Sequence, residues 1–253
     1  MHMRLSVIVI TRNEQANIVD CLCSVDFADE RIVLDNGSTD DTVKLARQAG
    51  AQVHQTEDWP GFGPQKNRAL AYATGDWVLS MDADERVTPG LRDEIKAVLA
   101  GNGTASCYSI PRSSLFCGRF MRHSGWTPDY VDRLFKAGAA RFSADLVHEK
   151  LVHEGRAQVL KNPLLHYSHR DFSDVLTKID RYSTASAQQA LAKGKRSSVA
   201  GALGHGLWAF VRTYVFKAGF LDGGHGLALA IANAEGSYYR HIKLWRLQQL
   251  DKK

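Results

Sequence analysis

The sequence has no apolar run long enough to cross a bilayer. The longest uncharged stretch in its carboxyl-terminal part, Ser197–Val211, contains 15 residues, whereas a spanning helix needs about 18 or more. Near the amino terminus, the apolar stretch Leu5–Ile10 is too short to form the core of a signal peptide. We therefore expect a protein that neither spans a membrane nor is secreted.

Cysteine is scarce, and two nucleotide-binding motifs are missing. The chain has four cysteines, with no C-x-x-C pair and no histidine pair at zinc-finger spacing. This pattern argues against a disulfide scaffold and a structural zinc site, and it favours a reducing compartment. No predicted strand is followed by G-x-G-x-x-G, and no P-loop sequence is present. Dinucleotide redox chemistry and P-loop ATP hydrolysis therefore lose their main support.

Charge is distributed unevenly along the chain. Residues 1–150 carry 17 basic and 20 acidic side chains, whereas residues 151–253 carry 15 and 7. A near-neutral body followed by a basic tail predicts an anionic partner, either a membrane surface or a nucleic acid. The basic excess accompanies apolar helices and is not interleaved with aromatics on a β-surface, so we expect no nucleic acid.

Strands and helices alternate over the first hundred residues. The predicted order is βαβαβαβα, with strands at about 5–11, 31–34, 51–55 and 76–81 and a last helix that Thr88 caps. This alternation predicts an α/β fold with a mostly parallel sheet and helices on both faces. Polar residues follow three of the strands, and the carboxyl ends of parallel strands lie along one edge. We therefore expect three segments to converge there: Thr11–Glu14, Asp35–Asp40 and Asp82–Asp84.

Two of these segments suggest chemistry, and each has a simpler structural alternative. Asp82 and Asp84 form a D-x-D pair that can hold a divalent ion against a diphosphate. The alternative is a polar turn before the helix at Thr88. Asp35 can accept hydrogen bonds from a base or ribose, while Gly37 lets the backbone approach closely. The alternative there is helix capping by Ser38, Thr39 or Asp40.

Four ordered blocks resemble glycosyltransferase family 2, the inverting enzymes of the GT-A fold. The blocks are Val7–Glu14, Asp35–Thr42, Gly63–Leu70 and Ser80–Glu85. The resemblance implies a Rossmann-like GT-A sheet, a nucleoside-diphosphate sugar donor and a Mg²⁺ or Mn²⁺ ion. It also implies that Asp82 and Asp84 bind the ion. The residues that it places at the nucleotide sugar are Thr11, Glu14, Asp35, Ser38, Lys66, Arg68 and Asp82. Within this set, Lys66 and Arg68 approach the diphosphate or hold Asp82.

Three later blocks are similar to bacterial lipopolysaccharide inner-core β-glucosyltransferases. They are Val131–Phe135, Val147–Leu151 and Phe220–Gly224. The similarity implies UDP-glucose as donor and a lipid-anchored glycan as acceptor. A polyprenyl phosphate or a capsule glycan is the alternative acceptor. Two more distant alternatives are a nucleotidyltransferase and a basic nucleic-acid-binding protein. The first would normally have a glycine-rich loop after its first strand, which this chain lacks.

An inverting transfer requires a base that deprotonates the acceptor hydroxyl. We predict Glu149 as this base, with His148 beside it as a metal ligand or acceptor contact, because they form the most suggestive acid/base pair in the acceptor half. Asp132 and Asp145 are the reserve candidates, and a charged surface strand is the structural alternative. We predict that Arg133 contacts the diphosphate or the acceptor. The alternative is a strand arginine that pairs with Asp129 or Asp132.

The predicted domains are a GT-A catalytic domain at 1–170 and a helical region at 171–253. The catalytic domain divides into a nucleotide-sugar half, 1–105, and an acceptor half, 106–170. In the helical region, aromatic residues between 208 and 220 lie among basic ones, a composition that suits a helix in an anionic headgroup layer. The alternative is a subdomain that packs these aromatics inward. We expect a peripheral protein at the cytoplasmic face of the inner membrane.

Overall fold

The computed structural model describes residues 3–144 and 149–250. These residues form two compact units, which are described separately. The first comprises the described parts of Met1–Arg112 and Asp129–His166, and the second those of Ser113–Pro128 and Tyr167–Lys253. Among the described residues, no helix combines the length and the apolar character needed to pass through a bilayer.

The predicted alternation of strands and helices is confirmed. The strands are β1 (Leu5–Thr11), β2 (Glu30–Asp35), β3 (Gln52–Gln55), β4 (Trp77–Asp82), β5 (Glu85–Val87), β6 (Cys107–Phe116), β7 (Arg119–Phe120), β8 (Tyr130–Lys136), β9 (Ala140–Phe142), β10 (Leu151–His153), β11 (Gln158–Val159) and β12 (Leu164–His169). The helices are α1 (Ile18–Ser24), α2 (Thr42–Gln48), α3 (Phe62–Leu70), α4 (Pro89–Ala97), α5 (Phe172–Ala192), α6 (Val199–Val211) and α7 (Gly223–Leu250).

The sheet of the first unit is parallel on one side and antiparallel on the other. Its strand order is β3-β2-β1-β4-β8-β6-β12-β5. Strands β1 to β4 pair in parallel, whereas β8 pairs antiparallel with both β4 and β6. The α/β class is thus as predicted, and the parallel part coincides with the segment whose strands are joined by helices. Antiparallel pairing begins where those crossover helices end.

Strand β1 separates two apolar layers, so it is buried on both faces. Val7 and Val9 belong to a cluster that includes residues of α1, α2 and α4. Ile8 belongs to the opposite cluster, which includes Ala69 of α3. A nearly continuous apolar strand is what such a two-sided environment requires.

Most local boundaries match the sequence prediction. Helix α3 begins at Phe62 and includes Pro64, which is tolerated within a first turn. Strand β5 follows only three residues after Asp82 and pairs with β12, a long-range partner that no local pattern reveals. The Thr88 cap is confirmed, since its hydroxyl accepts a hydrogen bond from Leu91 N.

In the second unit, α7 packs against both α5 and α6. Gly206 allows close approach of α6, since a Cβ there would lie 3.2 Å from Tyr238 Cβ. Lys243 ties α7 to α5, with Nζ 2.7 Å from Asp180 Oδ1 and 2.7 Å from Thr184 Oγ1. The buried Asp222 accepts hydrogen bonds from His123 N at 2.9 Å and from the neighbouring Ser124 Oγ at 3.0 Å. It therefore anchors the segment Ser113–Pro128 within this unit.

Candidate active site

The carboxyl ends of β1, β2 and β4 lie side by side in the first unit. In the strand register, Thr11 lies opposite Asp35, and Ile10 lies opposite Asp82. The polar segments that follow these strands are therefore brought to one edge of the sheet, as the alternation of strands and helices predicted.

Asp35 holds a tight turn at this edge. Its fully buried carboxylate accepts hydrogen bonds from Thr11 Oγ1 at 3.2 Å, from Ser38 N at 2.9 Å and from the Ser38 hydroxyl. Gly37 within the turn has a φ of 69°, a conformation that glycine adopts readily. The structure thus brings Thr11, Asp35 and Ser38 together, and their mutual hydrogen bonds give the turn a fixed shape.

Glu14 belongs to the loop between β1 and α1. Its backbone N donates to Thr42 Oγ1 at 2.7 Å, and its carboxylate accepts from Asn17 Nδ2 at 2.7 Å. The Asp40 carboxylate accepts from the Thr42 backbone N at 3.0 Å. The N-cap residue of α2 is nevertheless Asp41, whose side chain makes no capping hydrogen bond, so the predicted N-cap by Ser38, Thr39 or Asp40 is wrong.

Lys66 links two carboxylates from distant parts of the chain. Its Nζ lies 3.0 Å from Asp82 Oδ1 and 2.9 Å from Glu149 Oε1. The lysine side chain is only 4% exposed, whereas that of Glu149 is 20% exposed. The predicted base is therefore oriented by a buried cation and still reaches solvent.

Asp82 is held by a second cation. The Arg133 guanidinium contacts Asp82 Oδ2 and lies 2.7 Å from Glu85 Oε1, and Glu85 is fully buried. Burial by itself would raise the pKa of Asp82, but the charges of Arg133 and Lys66 outweigh it and hold the pKa far below its usual range. Burial would likewise lower the pKa of Arg133, and the carboxylates of Asp82 and Glu85 raise it instead. Lys66, Arg133 and Glu85 are buried, whereas the Asp82 side chain is 34% exposed, so this charge network reaches solvent through Asp82.

Asp84 faces a different partner. Its Oδ2 lies 3.3 Å from His166 Nε2, and the two side chains are 25% and 17% exposed. Asp82 is 34% exposed, but both of its oxygens contact cations. Asp84 instead presents a carboxylate oxygen beside an imidazole nitrogen. Carboxylate and imidazole are donors that a divalent transition-metal ion accepts, so this pair fits the implied metal better than Asp82 does.

A close backbone approach positions Glu149. Asn67 of α3 exchanges two 2.9 Å hydrogen bonds with the backbone of Phe142. At Gly63, in the same helix, a Cβ would lie 1.8 Å from the Ser143 carbonyl oxygen. Only glycine fits this contact without displacing the Ser143 backbone, and the same Cβ would lie 3.4 Å from Glu149 Cβ.

We expect Gly63→Ala to destabilise the protein by more than about 1–3 kcal/mol, because the added methyl overlaps backbone and not a flexible side chain. Chemical denaturation measures the loss. Gly204→Ala in α6 is the matched control: nothing lies within 4 Å of its added Cβ, and alanine at an exposed helical position should be neutral or stabilising by about 0.5–1 kcal/mol. Equal effects of the two substitutions would contradict the steric argument.

Four predicted residues are placed elsewhere or lie outside the described part of the chain. Arg68 forms a two-point ion pair with Asp58, with both N···O distances 2.8 Å, so the structure does not bring it to Asp82. Arg133 contacts Asp82 and Glu85, and the partner of Asp129 is Arg112. His148 lies outside the described residues, as does the reserve candidate Asp145.

Sequence reasoning missed two partners in this site. Glu85 directly follows the D-x-D pair in the sequence. It is a charged residue next to another charged residue, Arg86, so the sequence gave no sign that it would be buried. His166 is 82 positions from Asp84 in the printed sequence, and no motif marks it. For Arg133, the sequence offered one signal besides its block: the carboxylates that follow the buried strand β4 require a compensating positive charge.

Comparison with known proteins identifies the family of this chain. The Glycosyl transferase family 2 model matches residues 6–183. An uncharacterized glycosyltransferase of Rickettsia prowazekii is 29% identical over 95% of this chain and 86% of its own length. The lipopolysaccharide core biosynthesis glycosyltransferase LpsC of Rhizobium meliloti is 29% identical over 94% of this chain and 93% of its own length.

A solved structure overlaps part of the chain. It is glucosyl-3-phosphoglycerate synthase from Mycobacterium tuberculosis in complex with Mn²⁺, uridine diphosphate and glucosyl-3-phosphoglycerate, at 30% identity over 45% of this chain and 44% of that one, with a TM-score of 0.37. The family match spans most of the chain, including the Asp82, Lys66 and Glu149 network, and it confirms the GT-A class of the first unit. The chain is a glycosyltransferase and belongs to glycosyl transferase family 2.

Proposed function

We propose that this chain is a metal-dependent inverting glycosyltransferase that transfers glucose from UDP-glucose to a lipopolysaccharide core or another lipid-linked glycan. The observation that carries the mechanism is the Lys66 bridge, which joins Glu149 to Asp82 through contacts of 2.9 and 3.0 Å. The relative LpsC, aligned over nearly its whole length, supports a lipopolysaccharide core as acceptor.

Each required chemical role has a residue in the first unit. Glu149 accepts the proton of the acceptor hydroxyl as the new glycosidic bond forms, and the Lys66 ammonium orients its carboxylate. Asp84 and His166 would hold the divalent ion. When bound, the ion supplies positive charge that stabilises the departing diphosphate. Mg²⁺ prefers oxygen ligands, so the imidazole of His166 favours Mn²⁺.

A thermal-stability panel of nucleotide sugars tests this function. We expect UDP-glucose with Mn²⁺ to raise the Tm of the native chain, because a ligand at 100 times its Kd adds about 2.7 kcal/mol to stability. EDTA or Asp84→Asn should abolish the shift. Asp93→Asn, at an exposed position of α4, is the matched control and should shift like the native chain. A panel in which no sugar nucleotide raises Tm, or in which Asp84→Asn responds normally, would refute the proposal.

An exposed apolar surface supports a membrane-bound acceptor. Leu203, Leu207 and Phe216 are 59%, 67% and 67% exposed. Arg212 and Lys217 lie among them and are also exposed. Apolar side chains flanked by cations suit the headgroup region of an anionic leaflet, and we assign this surface to the inner membrane face. Of the aromatics singled out in the sequence, Trp208, Phe216 and Phe220 are exposed, whereas Phe210 and Tyr214 are half-buried.

Vesicle co-sedimentation tests this surface. We expect the double substitution Leu207→Glu with Phe216→Glu to reduce recovery with phosphatidylglycerol vesicles by about tenfold or more, since each side chain contributes about 1.5–3 kcal/mol when buried. Leu176→Glu in α5 is the control, because Leu176 is 58% exposed but lies on another helix. Equal recovery of the native chain and the double variant would exclude membrane contact through this surface.

A cavity of about 490 Å³ in the second unit suits the anionic, apolar character of such an acceptor. Aromatic rings of Trp126 and Tyr182 line it together with Lys178 and Arg240. Among the residues described as lining it, none carries a carboxylate. Two cations in an otherwise apolar and hydroxyl-bearing cavity favour a phosphorylated amphiphile over a neutral sugar.

A further inference from the structure

Three metal-ligating side chains meet in the first unit, away from the Asp84 and His166 pair. Cys107 comes from β6, Asp132 from β8 and His153 from β10. One ligand atom of each lies within 4.8 Å of the other two. Within the described part of the chain, this is the one group of three or more such side chains.

The spacing is close to that of a tetrahedral metal centre. His153 Nε2 lies 3.4 Å from Asp132 Oδ2. Ligands bound to Zn²⁺ at about 2.0–2.3 Å are separated from one another by about 3.3–3.6 Å. The nitrogen and oxygen are therefore already at the edge length of the coordination tetrahedron. The Cys107 sulfur lies within 4.8 Å of both, so ion binding would require it to approach them by at most about 1.3 Å.

The orientation of the imidazole favours a cation between these groups. His153 Nδ1 lies 3.3 Å from the Glu154 carbonyl oxygen, which accepts only from an N–H. In the neutral ring this contact leaves the lone pair of Nε2 facing the Asp132 oxygen. Two acceptors that face each other repel unless a proton or a metal ion lies between them. The backbone contact is also the support that metal-bound histidines commonly have.

The carboxylate and the thiol are set in complementary surroundings. The Ser109 hydroxyl donates to Asp132 Oδ1, which leaves Oδ2 directed to the cluster. Cys107 is 1% exposed and belongs to an apolar cluster, whereas the Asp132 side chain is 32% exposed. Solvent can therefore supply a fourth ligand on the carboxylate side. A thiolate with one imidazole and one carboxylate suits Zn²⁺ and disfavours Mg²⁺.

We propose that Cys107, Asp132 and His153 form a three-ligand site for a zinc-class ion. The site would fasten β10 to the central sheet, and β10 begins two residues after Glu149. Its effect on activity would therefore be the positioning of the segment that carries Glu149. The inference rests on these three side chains and is independent of the donor and acceptor.

Cobalt substitution in the full-length, chelator-treated protein tests the site. We expect one equivalent of Co²⁺ to produce a near-ultraviolet sulfur-to-cobalt charge-transfer band that Zn²⁺ displaces. Cys107→Ser should remove the band, and Cys117→Ser should retain it. Asp132→Asn keeps the thiol and the side-chain shape but removes a carboxylate ligand. Loss of an outer-shell partner lowers metal affinity by up to about 100-fold, so loss of this direct ligand should weaken cobalt binding by more than that.

Several outcomes would overturn the proposal. One is a native chain that binds Co²⁺ without the charge-transfer band, or not at all. A second is a charge-transfer band that persists in Cys107→Ser. A third is native cobalt affinity in Asp132→Asn, and this variant is the deciding test if Cys107→Ser does not fold. Asp84→Asn should leave the band unchanged, so failure of this site and failure of the proposed catalytic metal site are separate results.

Discussion

Glu149→Gln is expected to lower kcat by about 10²–10⁴-fold, the usual contribution of a general base. The amide keeps the shape of the side chain and an oxygen that can accept from Lys66 Nζ, 2.9 Å away in the native chain. It cannot take a proton from the acceptor hydroxyl. Steady-state transfer from UDP-glucose to a lipopolysaccharide core acceptor measures the loss.

The donor response separates a catalytic defect from a structural one. Glu149→Gln should retain the Mn²⁺-dependent rise in Tm with UDP-glucose, because Asp84 and His166 are unchanged. Glu154→Gln, at an exposed position nearby, is the matched control and should keep native kcat. A native kcat in Glu149→Gln would show that another residue is the base. A low kcat together with loss of the Tm response to the donor would indicate misfolding.

Arg133→Met should cost about 3–5 kcal/mol of unfolding free energy, because it leaves Asp82 and Glu85 with less compensating charge in a buried site. Arg133 is 7% exposed, and it contacts both carboxylates through one nitrogen. Methionine fills a similar volume but neutralises neither carboxylate. Urea unfolding followed by circular dichroism measures the difference.

Arg92→Met is the matched control for this ion pair. Arg92 and Asp26 lie 3.3 Å apart, but their side chains are 40% and 59% exposed. Exposed pairs contribute about 0–1 kcal/mol, so this substitution should have little effect. A loss below about 1 kcal/mol in Arg133→Met would show that solvent or rearrangement compensates the buried carboxylates.

The same network predicts an acid-sensitive stability. The pKa of Asp82 is held below its usual value in the folded protein, so its contribution to stability is complete above the unfolded pKa of about 4. It is lost as the pH falls toward the folded pKa. Between about pH 5 and pH 3, the native chain should therefore lose more stability than Arg133→Met does, because the variant has already lost part of this interaction.

The amino-terminal half of the fold could be predicted because its signals are local. The apolar run of β1 predicted a strand that is buried on both faces, and the Thr88 cap marked the start of α4. The residues at the ends of β1, β2 and β4 could be assigned to one edge because parallel strands connected by helices share their direction. The antiparallel strands after residue 105 carry weaker periodicity, and their partners lie far away in the sequence.

The candidate site likewise has residues that the sequence predicted and residues that it did not. Asp82, Asp84 and Lys66 stand in recognisable blocks, so the sequence named them. His166 stands in no such block, and it reaches Asp84 through the β5–β12 pairing, which no spacing encodes. Arg133 does stand in a block, but its pairing with Asp82 follows from the β4–β8 pairing. Arg68 shows the converse, since it shares a block with Lys66 but pairs with Asp58. Two residues apart on α3, the two side chains do not lie on the same face.

The sequence by itself determined that this protein is an α/β glycosyltransferase whose acidic residues follow parallel strands. It could do so because hydrophobic periodicity and ordered motifs involve residues that are close together in the chain. Only the tertiary structure decided that Lys66 joins Asp82 to Glu149 and that Asp84 faces His166. It also decided that Cys107 meets Asp132 and His153, although cysteine spacing alone argued against a metal site. The physical reason is that coordination and ion pairing depend on distances of a few ångströms, and strand pairing sets those distances between residues far apart in the chain.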